Sequence, residues 1–445
     1  MTDRTMLQQR TVTSWGNVRK GRHLTAAPAF RDDVPAAVAA LVGAGNGLLP
    51  YGLGRSYGDS CLNVGGGLIE TTRLDRVLAF DTEAGILRAE AGLSLDALHR
   101  ITVPRGWFVP VTPGTRFVTL GGAVANDVHG KNHHLAGSFG CHVRRLALRR
   151  SDGTLMECGP DCETGLFRAT IGGLGLTGLI ESVEITLVPL ASAEVEVENI
   201  PFDRLEAFFD LSADSADWPY TVAWVDCLAR PPHLGRGIFS RGRPAADGPL
   251  TATPPGRPLT MPLEAPSGLI NGLTVRAFNA LYYRRPGARY CGRSHFQPFF
   301  YPLDGILRWN RMYGAAGFYQ YQCVVPPDTA RTAVPRLLDA ISRAGEASFL
   351  AVLKTFGDVP PPGLLSFPGP GTTLALDFPN RGRSTLRLMT ALDDIVRKAG
   401  GRLYPAKDAR MPADLFRSGY PQWRAFAEYR DPAFASDLWR RVGAV

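Results

Sequence analysis

Two residue types in this chain could do chemistry that their neighbours could not. The first is lysine. Among 49 basic residues the lysines are Lys20, Lys131, Lys354, Lys398 and Lys407 alone. Arginine fills the ordinary surface roles. A lysine in an apolar stretch, as in FLAVLKTFG (349–357) or RLYPAK (402–407), therefore points to a need for a compact ammonium or a tunable pKa. The second is the histidine run His129-Gly-Lys-Asn-His133-His134, with Cys141 and His142 downstream. Its spacing alone allows a metal site, locally hydrogen-bonded histidines, or contact with a cofactor or substrate. A lysine inside the run, and no carboxylate beyond Asp127, weigh against a metal. None is expected.

Three glycine-rich stretches, at 52–59, 114–122 and 172–178, form the broader signal. Glycine lets backbone N–H groups converge on an anion and lets a ligand come close. The third stretch contains a literal GxGxxG at Gly173, Gly175 and Gly178, but a helix precedes it and a strand follows. A Rossmann turn needs the reverse order. Gly130–Lys131 is no phosphate loop either, because Ala125 stands where the partner glycine belongs and Asn132 follows. The loops are either ordinary turns or the cradle of a large, flat, phosphate-bearing ligand, a description that FAD fits.

The elements that must position these residues alternate between helix and strand, which argues for an α/β or α+β architecture. Helices are expected at 34–44, 94–106 (capped by Ser94), 161–172, 202–211, 328–344 and 384–399. Strands are expected at 48–51, 67–69, 76–80, 87–91, 179–190, 316–326, 347–355 and 373–378, with a hairpin turning at Asp152–Gly153. Segment 110–142 reads as almost all loop. The texture changes near 195. Residues 241–268 carry seven prolines and read as a long loop or lid, and 358–371 as a second loop.

Composition bounds the rest. With 45% apolar and 20% charged residues over 445 positions, the chain is neither disordered nor a disulfide scaffold. The seven cysteines include no CxxC pair, which suits a reducing compartment. A polar N-terminus and the lack of a long apolar run lead us to expect a cytoplasmic protein with at most peripheral membrane contact. The +8 charge is spread along the chain without a nucleic-acid recognition motif, so no nucleic acid is expected.

The motifs GLGRSYGD (52–59), PGTRFVTLGGAVANDVHGKNHHLAGSFG (113–140) and GGLGLTG (172–178) resemble the FAD domain of the vanillyl-alcohol-oxidase/PCMH superfamily. Within it, the chain resembles the family of flavin subunits of decaprenylphosphoryl-β-D-ribose 2′-epimerases. WNRMYGAAGFYQYQ (309–322), LSFPGPG (365–371) and GGRLYPAKDAR (400–410) extend the likeness over nearly the whole chain. The resemblance implies an α+β fold of two domains: a PCMH-type FAD domain from 10–193, completed by 402–445, and a substrate domain on an antiparallel sheet at 194–401.

The resemblance also implies roles. Gly52, Leu53, Gly54, Arg55, Ser56, Tyr57, Gly58 and Asp59 in the first loop would bind the cofactor. So would Gly114, Thr119, Gly121, Gly122, Ala123 and Asn126 in the second, with backbone of 54–59 and 121–125 at the pyrophosphate. His129, Gly130, Lys131 and Asn132 would line the flavin ring or its phosphate. Gly175 and Gly178 would bind the cofactor, Ile180 would pack toward the adenine, and Tyr404 would meet the flavin. Related oxidases with covalent flavin carry a histidine where this chain has Arg55, so FAD is expected to be non-covalent. Lys131, Trp224, Gln320, Gln322, Lys354, Thr373, Ala375 and Lys407 would face a sugar phosphate, with Lys407 and Tyr57 catalytic. Ala375 and Asn126 replace cysteines of mycobacterial members, and Phe300 replaces a usual tyrosine.

The implied activity is oxidation of the 2′-hydroxyl of a polyprenylphosphoryl-β-D-ribose to the 2-keto form. The implied partners are that lipid-linked sugar and a nicotinamide-dependent keto-reductase. An FAD-dependent oxidase of a soluble alditol, sugar or aldonolactone is the alternative.

Overall fold

The computed structural model describes residues 7–254, 258–266, 268–346 and 348–443. Three large sheets and two short two-stranded ones form among the described residues, and each large sheet is built where its sequence alternates or runs apolar. The first has four strands in the order Gln8–Thr13, Lys20–Ala26, Gly67–Glu70 and Leu48–Tyr51. Its outer pair is antiparallel and the other pairings are parallel. The crossover is the helix Val34–Gly43, which starts with proline in its first turn. That helix buries Val34, Ala37, Val38 and Leu41, one face of a 3.6-residue period, against Ala26, Leu48 and Ile69.

The second sheet has five strands, all antiparallel to their neighbours: Val77–Asp81, Ile86–Glu90, Leu179–Thr186, Val143–Arg149 and Leu155–Cys158. The hairpin between the last two turns at Asp152–Gly153, where Gly153 takes a φ of 88° that a side chain would disfavour. Leu179–Thr186 enters directly from the third glycine loop.

The third sheet has eight strands in the order Tyr290–His295, Glu194–Phe202, Gly237–Pro244, Tyr220–Val225, Ala351–Phe356, Gly371–Pro379, Phe318–Val325 and Arg402–Leu403. One face is covered by the helices Pro327–Ala344 and Arg383–Lys398, whose Val334, Leu337, Leu338, Ile341, Leu392 and Val396 meet Leu353, Leu374 and Leu376. Strand alternation then sends Gln320, Gln322, Lys354 and Ala375 to the opposite face.

The last segment ties sheets together. After Arg402–Leu403 pairs with Val324 and Cys323, the chain turns back to the first sheet. There Leu48 N donates to Ala433 O at 2.8 Å, and Arg441 on the helix Asp437–Val442 bonds Asp59.

Several expectations need correction. Segment 110–142 is not all loop: it holds the helices Leu120–Ala125 and His133–Ala136, too short and too glycine-rich for periodicity to show. Residues 241–244 belong to a strand, and Leu259–Thr260 pairs in parallel with Ile306–Leu307, so the proline-rich stretch is not one free loop; its residues 255–257 and 267 lie outside the described set. Loop 358–371 is packed, with Leu365, Ser366 and Phe367 buried and Ser366 Oγ donating to Asp127 Oδ2. The strands Gln8–Thr13, Lys20–Ala26 and Tyr290–His295 and the helix Gly272–Arg284 had no expectation at all. Among the described residues no helix is long and apolar enough to cross a membrane.

Candidate active site

The glycine loops and the open face of the large sheet enclose a cleft of about 330 Å³. The first loop leaves Tyr51 at the end of its strand. Gly54 has φ 61°, and a Cβ there would strike the Tyr51 hydroxyl. At Gly58 a Cβ would lie 1.7 Å from the Asp408 carbonyl oxygen, so only glycine lets the loop pass the C-terminal segment. Tyr57 N donates to Ala406 O at 3.2 Å, but among the described residues no acceptor meets the N–H groups of Leu53, Gly54, Arg55 and Ser56. Beside them Arg55 lies over the Trp15 ring at 4.0 Å. Its Nε and the Ser60 Oγ are buried without a hydrogen-bond partner. Buried polar groups are rarely left so.

The second loop is different. Thr119 caps the short helix, accepting from Gly122 N at 3.1 Å, while Gly121 N donates to Ala91 O and Ala123 N to Thr119 O. The N–H groups of Gly121, Gly122 and Ala123 are satisfied, so Gly121 and Gly122 offer the cleft close approach, not open N–H groups, and Gly114 also lines it. Gly175, Gly178 and Ile180 extend the wall. Tyr404 closes it, donating from its hydroxyl to Asn126 O at 2.8 Å and stacking on Phe367 at 4.5 Å.

The polar end gathers Lys131, Lys354 and Lys407 from three separate segments. Lys354 Nζ donates to His129 Nδ1 at 3.2 Å, and the Gln322 amide lies 3.0 Å from His129 Nε2. A donor at Nδ1 leaves the ring proton on Nε2, which then needs the amide oxygen of Gln322. Lys407 Nζ sits 4.0 Å from the centre of the Tyr57 ring. Behind it, Gln320 Nε2 donates to Asp377 Oδ1 at 2.7 Å, deep in the sheet.

Burial governs the protonation states. It pushes Lys407 down to about 8, with Asp377 acting in the opposite direction. Lys354 falls to about 7, through burial first and then the neighbouring Lys131 and Lys407. Lys131 falls to about 8 by burial. Burial, with Lys354 second, holds His129 well below its usual value and so neutral. Asp377 rises to about 7 because it is buried, against the pull of its Gln320 hydrogen bond and Lys407.

Most of the expected residues reach the cleft: Gly52 to Tyr57, Gly114, Thr119, Gly121, Gly122, Asn126, His129 to Lys131, Gly175, Gly178, Ile180, Gln320, Gln322, Lys354, Ala375, Tyr404 and Lys407. Others stand behind its wall. Gly58 packs on Asp408 and Asp59 is held by Arg441. Ala123 is buried inside its short helix, and Asn132 Nδ2 donates to Pro110 O. Thr373 Oγ1 lies 3.2 Å from the Gln322 amide, and Trp224 Nε1 donates to Phe349 O. The histidines divide likewise: His129 faces the cleft, while His133 packs on Phe356 and His134 and His142 bond carbonyls.

Sequence reasoning missed Asp304, Trp309 and Asp377. Asp304 lines the cleft, accepting from Thr115 Oγ1 at 2.7 Å and Arg116 N at 2.9 Å. Its setting, Pro-Leu-Asp-Gly, reads as a turn and carries no other signal. Asp377 could have been found as the one carboxylate in the apolar strand TLALDF (373–378).

The open N–H groups of the first loop, with Arg55 and Ser60, fit the pyrophosphate of FAD, and the flat glycine walls fit its rings. The comparisons agree. A family model described as "FAD binding domain" matches residues 23–159. The decaprenylphosphoryl-β-D-ribose oxidase of Mycolicibacterium smegmatis is 40% identical over 89% of this chain and 89% of its own length. An uncharacterised Streptomyces coelicolor protein, named for the mprA 5′ region, is 37% identical over 79% of this chain and its whole length. Mouse L-gulonolactone oxidase is 31% identical over 28% of each chain. The chain therefore uses FAD as its cofactor and belongs to the decaprenylphosphoryl-β-D-ribose oxidase family of FAD-dependent oxidoreductases.

Proposed function

We propose that this enzyme oxidises the 2′-hydroxyl of a polyprenylphosphoryl-β-D-ribose to the 2′-keto form. This is the first half of conversion to the arabino epimer. The observation that carries the reading is the set of lysines at the cleft's polar end. Every ion pair among the described residues is made by arginine, so Lys131, Lys354 and Lys407 face the cleft without a carboxylate bound to them. Cations gathered at that density suit an anionic, phosphate-bearing substrate.

Bound FAD supplies the two-electron acceptor that takes the hydride. The chain's residues do the rest. Lys407, near 8, is neutral in a useful fraction at physiological pH, and its Nζ takes the hydroxyl proton. Tyr57 holds that ammonium or amine over its ring. Lys131 and Lys354 hold the phosphate, and neutral His129 bridges Lys354 to Gln322 so that the sugar meets a fixed polar wall. Arg55, unable to form the bond that histidine makes in covalent flavoproteins, leaves FAD dissociable. Segments 10–193 and 402–445 form the FAD domain in this reading, and 194–401 the substrate domain. Reduction of the keto product from the other face falls to a nicotinamide-dependent partner.

The test is anaerobic absorbance while polyprenylphosphoryl-ribose is titrated into the yellow holoenzyme. Bleaching of the flavin band is expected. A protein that stays yellow with this substrate, and bleaches with a free polyol or aldonolactone, would move the assignment to a soluble-sugar oxidase.

A further inference from the structure

One stretch of the chain sets large apolar side chains in water. Leu259, Leu263, Leu269, Leu273 and Leu281 are 72, 75, 52, 78 and 74% exposed. Single exposed leucines need no explanation, but a continuous group of them marks a contact surface. Three positions on the helix Gly272–Arg284, namely Leu273, Ala277 and Leu281, recur at every fourth residue, and all are exposed. The opposite face is already occupied. Val275 and Asn279 are buried, Asn279 Nδ2 donates to Asp226 Oδ1 at 2.7 Å, and Tyr282 packs on Trp224 at 4.7 Å. The helix is also firmly started, with Asn271 and Thr274 forming a reciprocal cap. Its outward stripe is thus a second apolar face on an anchored helix.

Charge identifies what covers it. Arg276, Arg284, Arg285 and Arg289 are exposed around the leucines. Against them stands one carboxylate, Glu264, among the described residues of 258–289. We infer that this face docks on an anionic lipid bilayer, the leucines entering the acyl boundary and the arginines meeting headgroup phosphates.

The surface adjoins the cleft. Leu259–Thr260 pairs with Ile306–Leu307, Ala265 N donates to Arg311 O at 2.9 Å, and Trp309, between those two contacts, lines the cleft. Ile270 packs against the cluster that contains Tyr57 and Trp309. A docked enzyme would hold its cleft beside the membrane in which a polyprenyl tail resides. This last point rests on the function proposed above; the docking itself does not. Loop 358–371 has no part in it, since its Leu365, Ser366 and Phe367 are buried.

The holoenzyme is tested by flotation with vesicles of phosphatidylcholine alone and of phosphatidylcholine with phosphatidylglycerol. Binding is expected on the anionic vesicles and should fall at high salt. The double substitution Leu273→Ser/Leu281→Ser should lower the bound fraction about tenfold and leave the flavin spectrum unchanged, since both side chains are exposed. Arg276→Glu/Arg284→Glu should abolish the preference for anionic vesicles while keeping the leucines. No binding to anionic vesicles overturns the inference, as does equal binding by the leucine variant. So does a wild-type dimer, indifferent to vesicles, that the leucine substitutions dissociate: the face would then join two copies of the chain. Failure of the flavin to bleach with substrate would count against the proposed reaction and leave these outcomes untouched.

Discussion

Lys407 and Asp377 set the pH behaviour of the reaction. An amine base works only when neutral, so the rate of flavin reduction is expected to rise with pH and level off above about 8, the value to which burial lowers Lys407. Asp377 raises Lys407, so Asp377→Asn should move that ascending limb to lower pH in stopped-flow measurements. A limb that stays in place would show that Lys407 is not the titrating base. Lys407→Met should slow reduction by about a hundredfold to ten-thousandfold while FAD stays bound. The same burial affects folding. Lys131, Lys354 and Lys407 hold protons less tightly in the folded chain, at about 8, about 7 and about 8, than the 10.5 of an exposed lysine. The unfolded state therefore binds more protons between those values, and stability of the apoprotein should rise as pH climbs from about 7 through about 10. Urea titrations across that range measure it.

At the scale of elements, the join between the C-terminal helix and the first glycine loop rests on one arginine. Arg441 donates to Asp59 at 2.8 and 3.0 Å and to Asp408 at 2.9 Å, and both carboxylates are buried. Arg441→Ala leaves Asp59 without its guanidinium and Asp408 with only the backbone N–H groups of Arg410 and Met411, and should cost about 3–5 kcal/mol of stability, with weaker retention of FAD, since the loop it anchors carries the open N–H groups. Chemical denaturation and flavin release report both. Elements were legible in the sequence where one period dominated. The helices Pro327–Ala344 and Arg383–Lys398 each show a single apolar stripe, and Asp152–Gly153 announces its hairpin. Gly272–Arg284 stayed hidden because Leu273, Ala277 and Leu281 face out while Val275 and Tyr282 face in, which erases amphipathic contrast. Leu120–Ala125 is held by its Thr119 cap and its neighbours, not by helix propensity, with two glycines in six residues.

Over the whole molecule, the site is assembled from positions far apart in the chain: Tyr57 near the start, His129, the sheet residues Gln320 and Lys354, and Lys407 close to the end. Their residue types and motifs made the cleft readable before any geometry was known. Two carboxylates of the site were harder to read. Asp377 and Asp304 owe their place to the register of the large sheet and to a turn, and neither leaves a local mark in the sequence beyond its own charge. The same assembly bears on the cofactor: denaturing the holoenzyme in acid should release all flavin into solution, and a yellow pellet would show that a bond other than one at Arg55 holds it. The division of labour between the two basic residue types has a practical side as well. With arginine making the surface ion pairs, and Lys20 and Lys398 the only exposed lysine side chains, the three lysine amines that burial lowers to about 7 or 8 lie inside the cleft. An acylating reagent small enough to enter would find its nucleophiles there. Ordinary amine labelling of this protein thus becomes an occupancy probe, with substrate protecting the same few peptides that mass spectrometry would otherwise find modified.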